Sequence, residues 1–304
     1  HMLVEDIDVL INFSIGVAQI KAGHDSIIDA EFALDLAKRQ GKRFKVIYDD
    51  TSSKIKEELS NIAWLNRTKE YIYRDLIVPY YQPIVDTQTR KIYKYECLAR
   101  VIDGEAVVPP LLFIGAAARL GLLTSVTKSM INKSFQYFSQ KDVKFSINIT
   151  ERDILDGYLV NFIKMKADRY KIDLNNVTFE ILENLTISKE SDLVNQTIAQ
   201  IKEFGCDIAI DDFGSENSNF SRILSLRSDF IKIDGAFVRD CDKDFEKQKI
   251  IDAIVQLAKR LGIKSIAEFV STEEIFETVK RLGVDYVQGY LFGKPEPTTI
   301  CEKP

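Results

Sequence analysis

Histidine is nearly missing from this chain: 304 residues include two, His1 and His24, and His1-Met2 reads as a tag scar. Ser-His-Asp triads, Cys-His dyads, H-E-x-x-H sites and three-histidine zinc sites all need imidazoles that are not there. Cysteine is scarce as well. Cys97, Cys206, Cys241 and Cys301 lie far apart without a C-x-x-C pair, which points to reduced thiols in a cytoplasmic setting rather than a disulfide framework. Long apolar runs are lacking, since the stretch Pro109 to Leu123 is broken by Arg119 and is too short to span a bilayer. No signal peptide opens the chain, so no membrane partner is expected here, and any tether is assigned to domains upstream. Positive charge is not in excess either. With 41 Lys and Arg against 46 Asp and Glu, the net charge is −5, the wrong sign for coating a nucleic-acid polymer.

What is present divides into three zones. Residues 3–50 read as a small α/β segment, with a β-prone run Val9 to Ile15, helical periodicity over Ile27 to Gln40, a Gly41 cap and a second run Phe44 to Tyr48. Residues 51–75 carry Ile55, Leu59, Ile62, Leu65 and Ile72 near heptad spacing, which predicts a connecting helix. Over 76–298, short β-rich runs alternate with amphipathic helices. The runs are Ile77–Val85, Ile92–Leu98, Lys144–Ile149, Val177–Leu182, Asp207–Asp211, Phe230–Asp234, Ile263–Ala267 and Asp285–Val287. Such βα units fit a (β/α)8 barrel. A doubly wound sheet is the alternative, but no glycine-rich phosphate turn follows the first run.

Polar residues gather at the carboxyl ends of these runs. In order they are Glu96, Asn148, Glu180 with Glu183, Asp211-Asp212, Lys232 with Asp234, Glu268 and Gln288. Strand ends of a parallel barrel converge on one rim, where such enzymes place their chemistry. Oxygen donors without His or Cys favour Mg2+ or Mn2+ over zinc or copper. This many carboxylates can hold two ions about 3.5–4 Å apart, as in two-metal phosphoester hydrolases. Lys232 and Arg100 then face the phosphate oxygens.

These residues also spell a family pattern. Tyr95-Glu96-Cys97-Leu98-Ala99-Arg100 resembles the E-A-L-x-R signature of EAL-domain cyclic di-GMP phosphodiesterases. Gln82-Pro83-Ile84, Asn148, Phe179-Glu180-x-x-Glu183, Ile210-Asp211-Asp212-Phe213-Gly214, Lys232-Ile233-Asp234, Ala267-Glu268 and Gln288-Gly289-Tyr290 follow in the family's order. The resemblance implies a modified (β/α)8, TIM-like barrel with one antiparallel strand. It also implies hydrolysis of cyclic di-GMP to linear 5′-pGpG with two Mg2+ or Mn2+ ions. Glu96, Asn148, Glu180 and Asp211 match one metal site, and Asp211, Asp212 and Glu268 match the second. Lys232 and Glu268 match the groups acting on the attacking water, and Glu183 the acid that anchors the loop after Asp212. Gln82, Leu98, Arg100, Asp234 and Gln288 are expected at the nucleotide. Calcium should inhibit by competing for the same oxygens with longer, looser coordination.

Several positions depart from that pattern. Cys97 replaces the signature alanine, Phe269 stands where many members have glycine, and Ser271-x-x-Glu274 reads as a capping box. Glu216 and Asn217 alter the G-T-G-Y-S-S loop, which opens the alternative of a weak or inactive EAL domain acting as a cyclic di-GMP receptor. Residues 8–49 resemble the carboxyl-terminal half of a GGDEF cyclase, through Phe13-Ser14-Ile15-Gly16-Val17-Ala18 and Ala30-Glu31-x-Ala33-Leu34-x-x-Ala37-Lys38-x-x-Gly41. The half bearing the namesake turn is not in this sequence, so no cyclase site is expected. A homodimer is expected through Asn217 to Leu226, with Ile11, Phe13, Phe32 and Leu36 as a rival surface.

Overall fold

The computed structural model describes residues 2–4, 7–9, 15–17, 45–47, 53–182, 191–214 and 226–299. It comprises two compact units, His1–Asn66 and Arg67–Pro304. In the first, β1 (Met2–Val4) pairs antiparallel with β2 (Ile7–Val9), and β3 (Ile15–Val17) runs parallel to β4 (Lys45–Ile47). Helix α1 (Ser53–Tyr73) follows over the stretch with heptad-like spacing. The helix expected at Ile27 to Gln40, and the residues Ile11, Phe13, Phe32 and Leu36, lie outside the described residues.

The second unit runs β5 (Ile77–Asp86), β6 (Ile92–Asp103), β7 (Ala106–Val108), α2 (Pro110–Arg119), α3 (Leu123–Phe138), β8 (Lys144–Ile149), α4 (Glu151–Leu155), α5 (Leu159–Tyr170) and β9 (Val177–Leu182). It continues with α6 (Ser191–Glu203), β10 (Asp207–Phe213), β11 (Phe230–Ile233), α7 (Gly235–Val238), α8 (Phe245–Leu261), β12 (Lys264–Ala267), α9 (Glu273–Arg281) and β13 (Tyr286–Gln288). The strand order is β5-β13-β12-β11-β10-β9-β8-β6-β7, and a β5–β6 pairing closes eight of the strands into a barrel. Strand β5 runs antiparallel to both neighbours, while the remaining barrel pairs are parallel. This is the modified TIM-like barrel that the motif order implied.

The strands are buried on both faces, as helix-covered parallel strands must be. All four residues of β11 are buried, and so are the first five of β9. Ile84, Ala209, Phe230 and Ile266 pack together inside, with Tyr93 and Tyr286 against them. The apolar stretch after Pro109 forms α2 and ends on the first residue of α3, and buries Phe113, Ala116 and Ala117. Helix α8 starts where the Asp244 carboxylate accepts from the amides of Glu246 and Lys247 at 2.9 and 3.2 Å. It stops at Gly262, whose φ of 71° is the left-handed value that glycine adopts without strain.

One expected cap shifts by a residue. Thr272, not Ser271, is the N-cap of α9, with its hydroxyl accepting from the Ile275 amide at 3.3 Å. Ser271 is thereby released to the cavity described below.

The β13 end is locked to the segment after β12. The Val270 amide donates to the Gln288 carbonyl at 3.0 Å, and the Leu291 amide to the Val270 carbonyl at 3.2 Å. A Cβ on Gly289 would lie 2.0 Å from the Val270 oxygen and 2.4 Å from its nitrogen. Gly289→Ala therefore forces two backbones apart. Its expected cost is about 1–3 kcal/mol, or roughly 3–10 °C in melting temperature, read by thermal unfolding against wild type.

Candidate active site

Closure of the barrel brings four carboxylates around one lysine. The Lys232 ammonium on β11 lies 2.6 Å from Glu180, 2.8 Å from Glu268, 2.9 Å from Asp211 and 3.2 Å from Glu96. The lysine is only 1% exposed. Burial by itself would lower its pKa, but the four acids overwhelm that effect and hold it well above the usual lysine value.

The acids are not equivalent. Glu96 accepts from Asn148 Nδ2 at 2.8 Å and from Gln288 Nε2 at 2.7 Å. Burial would raise its pKa, yet Lys232 and these amides together hold it low. Gln288 also donates to Gln82 Oε1 at 3.1 Å, and Gln82 donates to the Gly293 carbonyl at 3.0 Å. Burial, with Glu96 beside it, pushes Glu180 up to about 7. Burial is also the main cause that raises Glu268, helped by Asp211 and Glu96 and opposed by Lys232.

Asp211 and Asp212 are neighbours in a strand, so simple alternation would send them to opposite faces. The β10–β11 register shifts between Ile210 and Phe213, and Asp212 adopts φ 55°. That irregularity turns both carboxylates toward the same cavity. Asp211, Asp212 and Glu268 place carboxylate oxygens within 4.8 Å of one another, a grouping that could hold a metal ion. Asp212 is pushed up to about 6 by burial and by its acidic neighbours Asp211 and Asp234.

The donor set suits a hard divalent cation. Five carboxylates face two buried lysines, Lys232 and Lys94, and Glu180 Oε1 is buried without a hydrogen-bond partner. Uncompensated acid oxygens of this kind are what Mg2+ or Mn2+ coordinates. Asn148, exposed at the end of β8, is held beside Glu96.

The carboxylate floor opens into a cavity of about 680 Å3. Of the residues nominated from sequence, Gln82, Glu96, Leu98, Arg100, Asn148, Asp211, Asp212, Lys232, Glu268 and Gln288 line it. Glu180 sits beneath, fully buried. Asp234 is not among the lining residues; it caps α7, accepting from the Ala236 amide at 2.6 Å. Glu183, Glu216 and Asn217 lie outside the described residues.

Two residues had escaped the strand-end reading. Lys94, fully buried, has Nζ 3.3 Å from the Thr178 hydroxyl and 3.9 Å from the centre of the Phe230 ring. Burial lowers its pKa to about 8. The alternation 94, 96, 98, 100 along β6 was the available signal, since it puts Lys94 on the face of Glu96. Arg239 also lines the cavity, together with Phe269, Ser271 and Tyr290. It follows α7 rather than a strand, so no strand-end pattern marks it.

Comparison with known proteins agrees with this architecture. The chain is 29% identical to the cyclic di-GMP phosphodiesterase PdeB of Shewanella oneidensis over 305 residues, covering 96% of this chain and 36% of that protein. It is 30% identical to the cyclic di-GMP phosphodiesterase PdeF of Escherichia coli over 250 residues, covering 80% and 33%. The chain thus spans about a third of the length of these relatives. Among solved structures, the MucR phosphodiesterase in complex with cyclic di-GMP superposes with a TM-score of 0.71 at 25% identity, covering 78% of this chain and 98% of that one. The sequence profile of the EAL domain matches residues 65–295, and the chain belongs to the EAL domain family.

Proposed function

We propose that this chain hydrolyses one phosphodiester bond of cyclic di-GMP, yielding linear 5′-pGpG. The observation that carries this reading is the floor itself, a buried lysine among four carboxylates, two of which join Asp212 in the Asp211-Asp212-Glu268 grouping, open to a cavity lined by Gln82 and Arg100. Two Mg2+ or Mn2+ ions, when bound, would acidify a water and neutralise charge developing on the phosphoryl group. Glu96, Asn148, Glu180 and Asp211 would hold one of them, and Asp211, Asp212 and Glu268 the other. Glu268 takes the proton from the attacking water. Lys232, tied to Glu268 at 2.8 Å, orients that carboxylate and supplies fixed positive charge toward the reacting oxygens. The new O–P bond forms as the P–O3′ bond breaks, and the departing O3′ takes up a proton from solvent, leaving a 5′-phosphate and a 3′-hydroxyl. Arg100, whose guanidinium donates to the Ala99 carbonyl at 2.8 Å, stands with Gln82, Leu98 and Gln288 along the nucleotide.

The names of PdeB and PdeF and the ligand of the MucR structure support the choice of substrate. Residues 3–50 are read as a GGDEF-like remnant, on their motifs and on the parallel pairing of β3 with β4. The homodimer expected through Asn217 to Leu226 remains part of this reading.

Purified protein incubated with cyclic di-GMP and Mg2+ or Mn2+ should release 5′-pGpG, followed by ion-exchange chromatography. Bound but uncut nucleotide would instead support the receptor alternative. Glu268→Ala should lower kcat by about 10²–10⁴-fold, the usual contribution of a positioned base. Glu96→Ala should raise the Mn2+ concentration for half-maximal rate by roughly 10–100-fold. Chelation with EDTA should abolish turnover, and excess Ca2+ should suppress it while cyclic di-GMP stays bound, as checked by calorimetry.

A further inference from the structure

On the cavity rim, opposite in character to the acid floor, a cation and an aromatic ring are stacked together. The Arg239 guanidinium lies over the Phe269 ring, 4.0 Å from its centre. Both residues line the cavity, and Phe269 is 50% exposed. Among the described residues, no carboxylate lies within ion-pair distance of Arg239, so its fork of N–H donors is uncommitted.

The placement of the ring is built rather than incidental. Phe269 holds φ 56°, a left-handed conformation that costs a bulky residue about 1–2 kcal/mol. The chain accepts this strain immediately after Glu268. Across from it, Gly235 supplies the space: a Cβ there would come within 2.1 Å of the Phe269 ring. One left-handed residue and one missing side chain, on different βα connections, thus cooperate to seat one phenyl ring under one guanidinium.

Resting on the function proposed above, we propose that Arg239 reads one guanine base of the bound dinucleotide, with Phe269 as the positioning residue that fixes its guanidinium. The phosphodiester to be cleaved belongs at the floor, over the carboxylates and Lys232. A guanidinium at the rim, backed by an apolar ring, is poorly placed for that phosphate and well placed for a base. Arginine pairs with the O6 and N7 acceptors of guanine through two parallel N–H donors. Adenine offers N7 but replaces O6 with an amino donor, which would oppose the guanidinium. The pair therefore discriminates guanine from adenine. Arg100, at the mouth on β6, stands three strands away around the eight-strand ring from β12, which precedes Phe269. A ligand with two bases would place one of them near each arginine.

The test is calorimetric titration of cyclic di-GMP and cyclic di-AMP in Ca2+, with wild type, Arg239→Ala, Arg239→Lys and Phe269→Gly. Wild type should prefer cyclic di-GMP. Arg239→Ala should weaken cyclic di-GMP by about 5–150-fold, the span for one bidentate pair, and leave cyclic di-AMP nearly unchanged. Arg239→Lys should not restore the preference, because a point charge lacks the planar fork. Phe269→Gly should weaken cyclic di-GMP while keeping the wild-type melting temperature, since relief of backbone strain offsets the lost contact. An equal loss for both dinucleotides would assign Arg239 to a phosphate and overturn the proposal. So would unchanged affinity in Arg239→Ala, or a Phe269→Gly that melts lower yet binds normally. If wild type binds no cyclic di-GMP at all, the function proposed above falls, and this inference falls with it.

Discussion

Everything at the mouth of this barrel depends on the placement of one ammonium group. Lys232 sits in a nearly dry interior, within 3.2 Å of carboxylates from four separate segments of chain. Removing solvent from five charged groups is expensive, and only close, mutual contact makes it tolerable. Replacing the lysine would leave Glu96, Glu180, Asp211 and Glu268 facing one another without compensation. The acids come from positions 96 to 268, so the cluster assembles only once the barrel closes. Barrel closure and site formation are the same event, and both rely on contacts distant in sequence.

The fold was readable because its strands are short apolar runs separated by helices of clear 3.6 periodicity. β8 and β9 coincide with their predicted limits, and β10 extends past Asp211 only because the chain continues through an irregular turn. The grouping of the nominated acids in one cavity was readable because acids at consecutive strand ends have few structural explanations. What escaped was whatever departs from regular geometry. No periodicity foretells that Asp212 turns back beside Asp211, since that requires a left-handed residue and a shifted register. Ser271 and Thr272 are both caps on paper, and α9 begins at the second. Lys94 lay in plain alternation with Glu96, but an ammonium fully inside a strand-lined core runs against the ordinary cost of burying charge.

The mouth therefore has two layers governed by different physics. The floor is buried, densely charged and fixed by strands, so each acid or amide is held by several others. The rim carries Phe269 and Tyr290, both at least half exposed, on the connections that follow β12 and β13. On the proposed function, chemistry would belong to the lower layer and molecular selection to the upper one. Substitutions on the rim can alter which ligand enters without disturbing the charge balance below.

The narrow fit between Gly235 and Phe269 carries a consequence for descent. Neither position is free to drift alone, because enlarging residue 235 evicts the ring and shrinking residue 269 empties the notch. A lineage that alters one inherits pressure on the other, across 33 residues of intervening chain. The two sites should behave as an epistatic couple, in which the order of mutations matters as much as their identity.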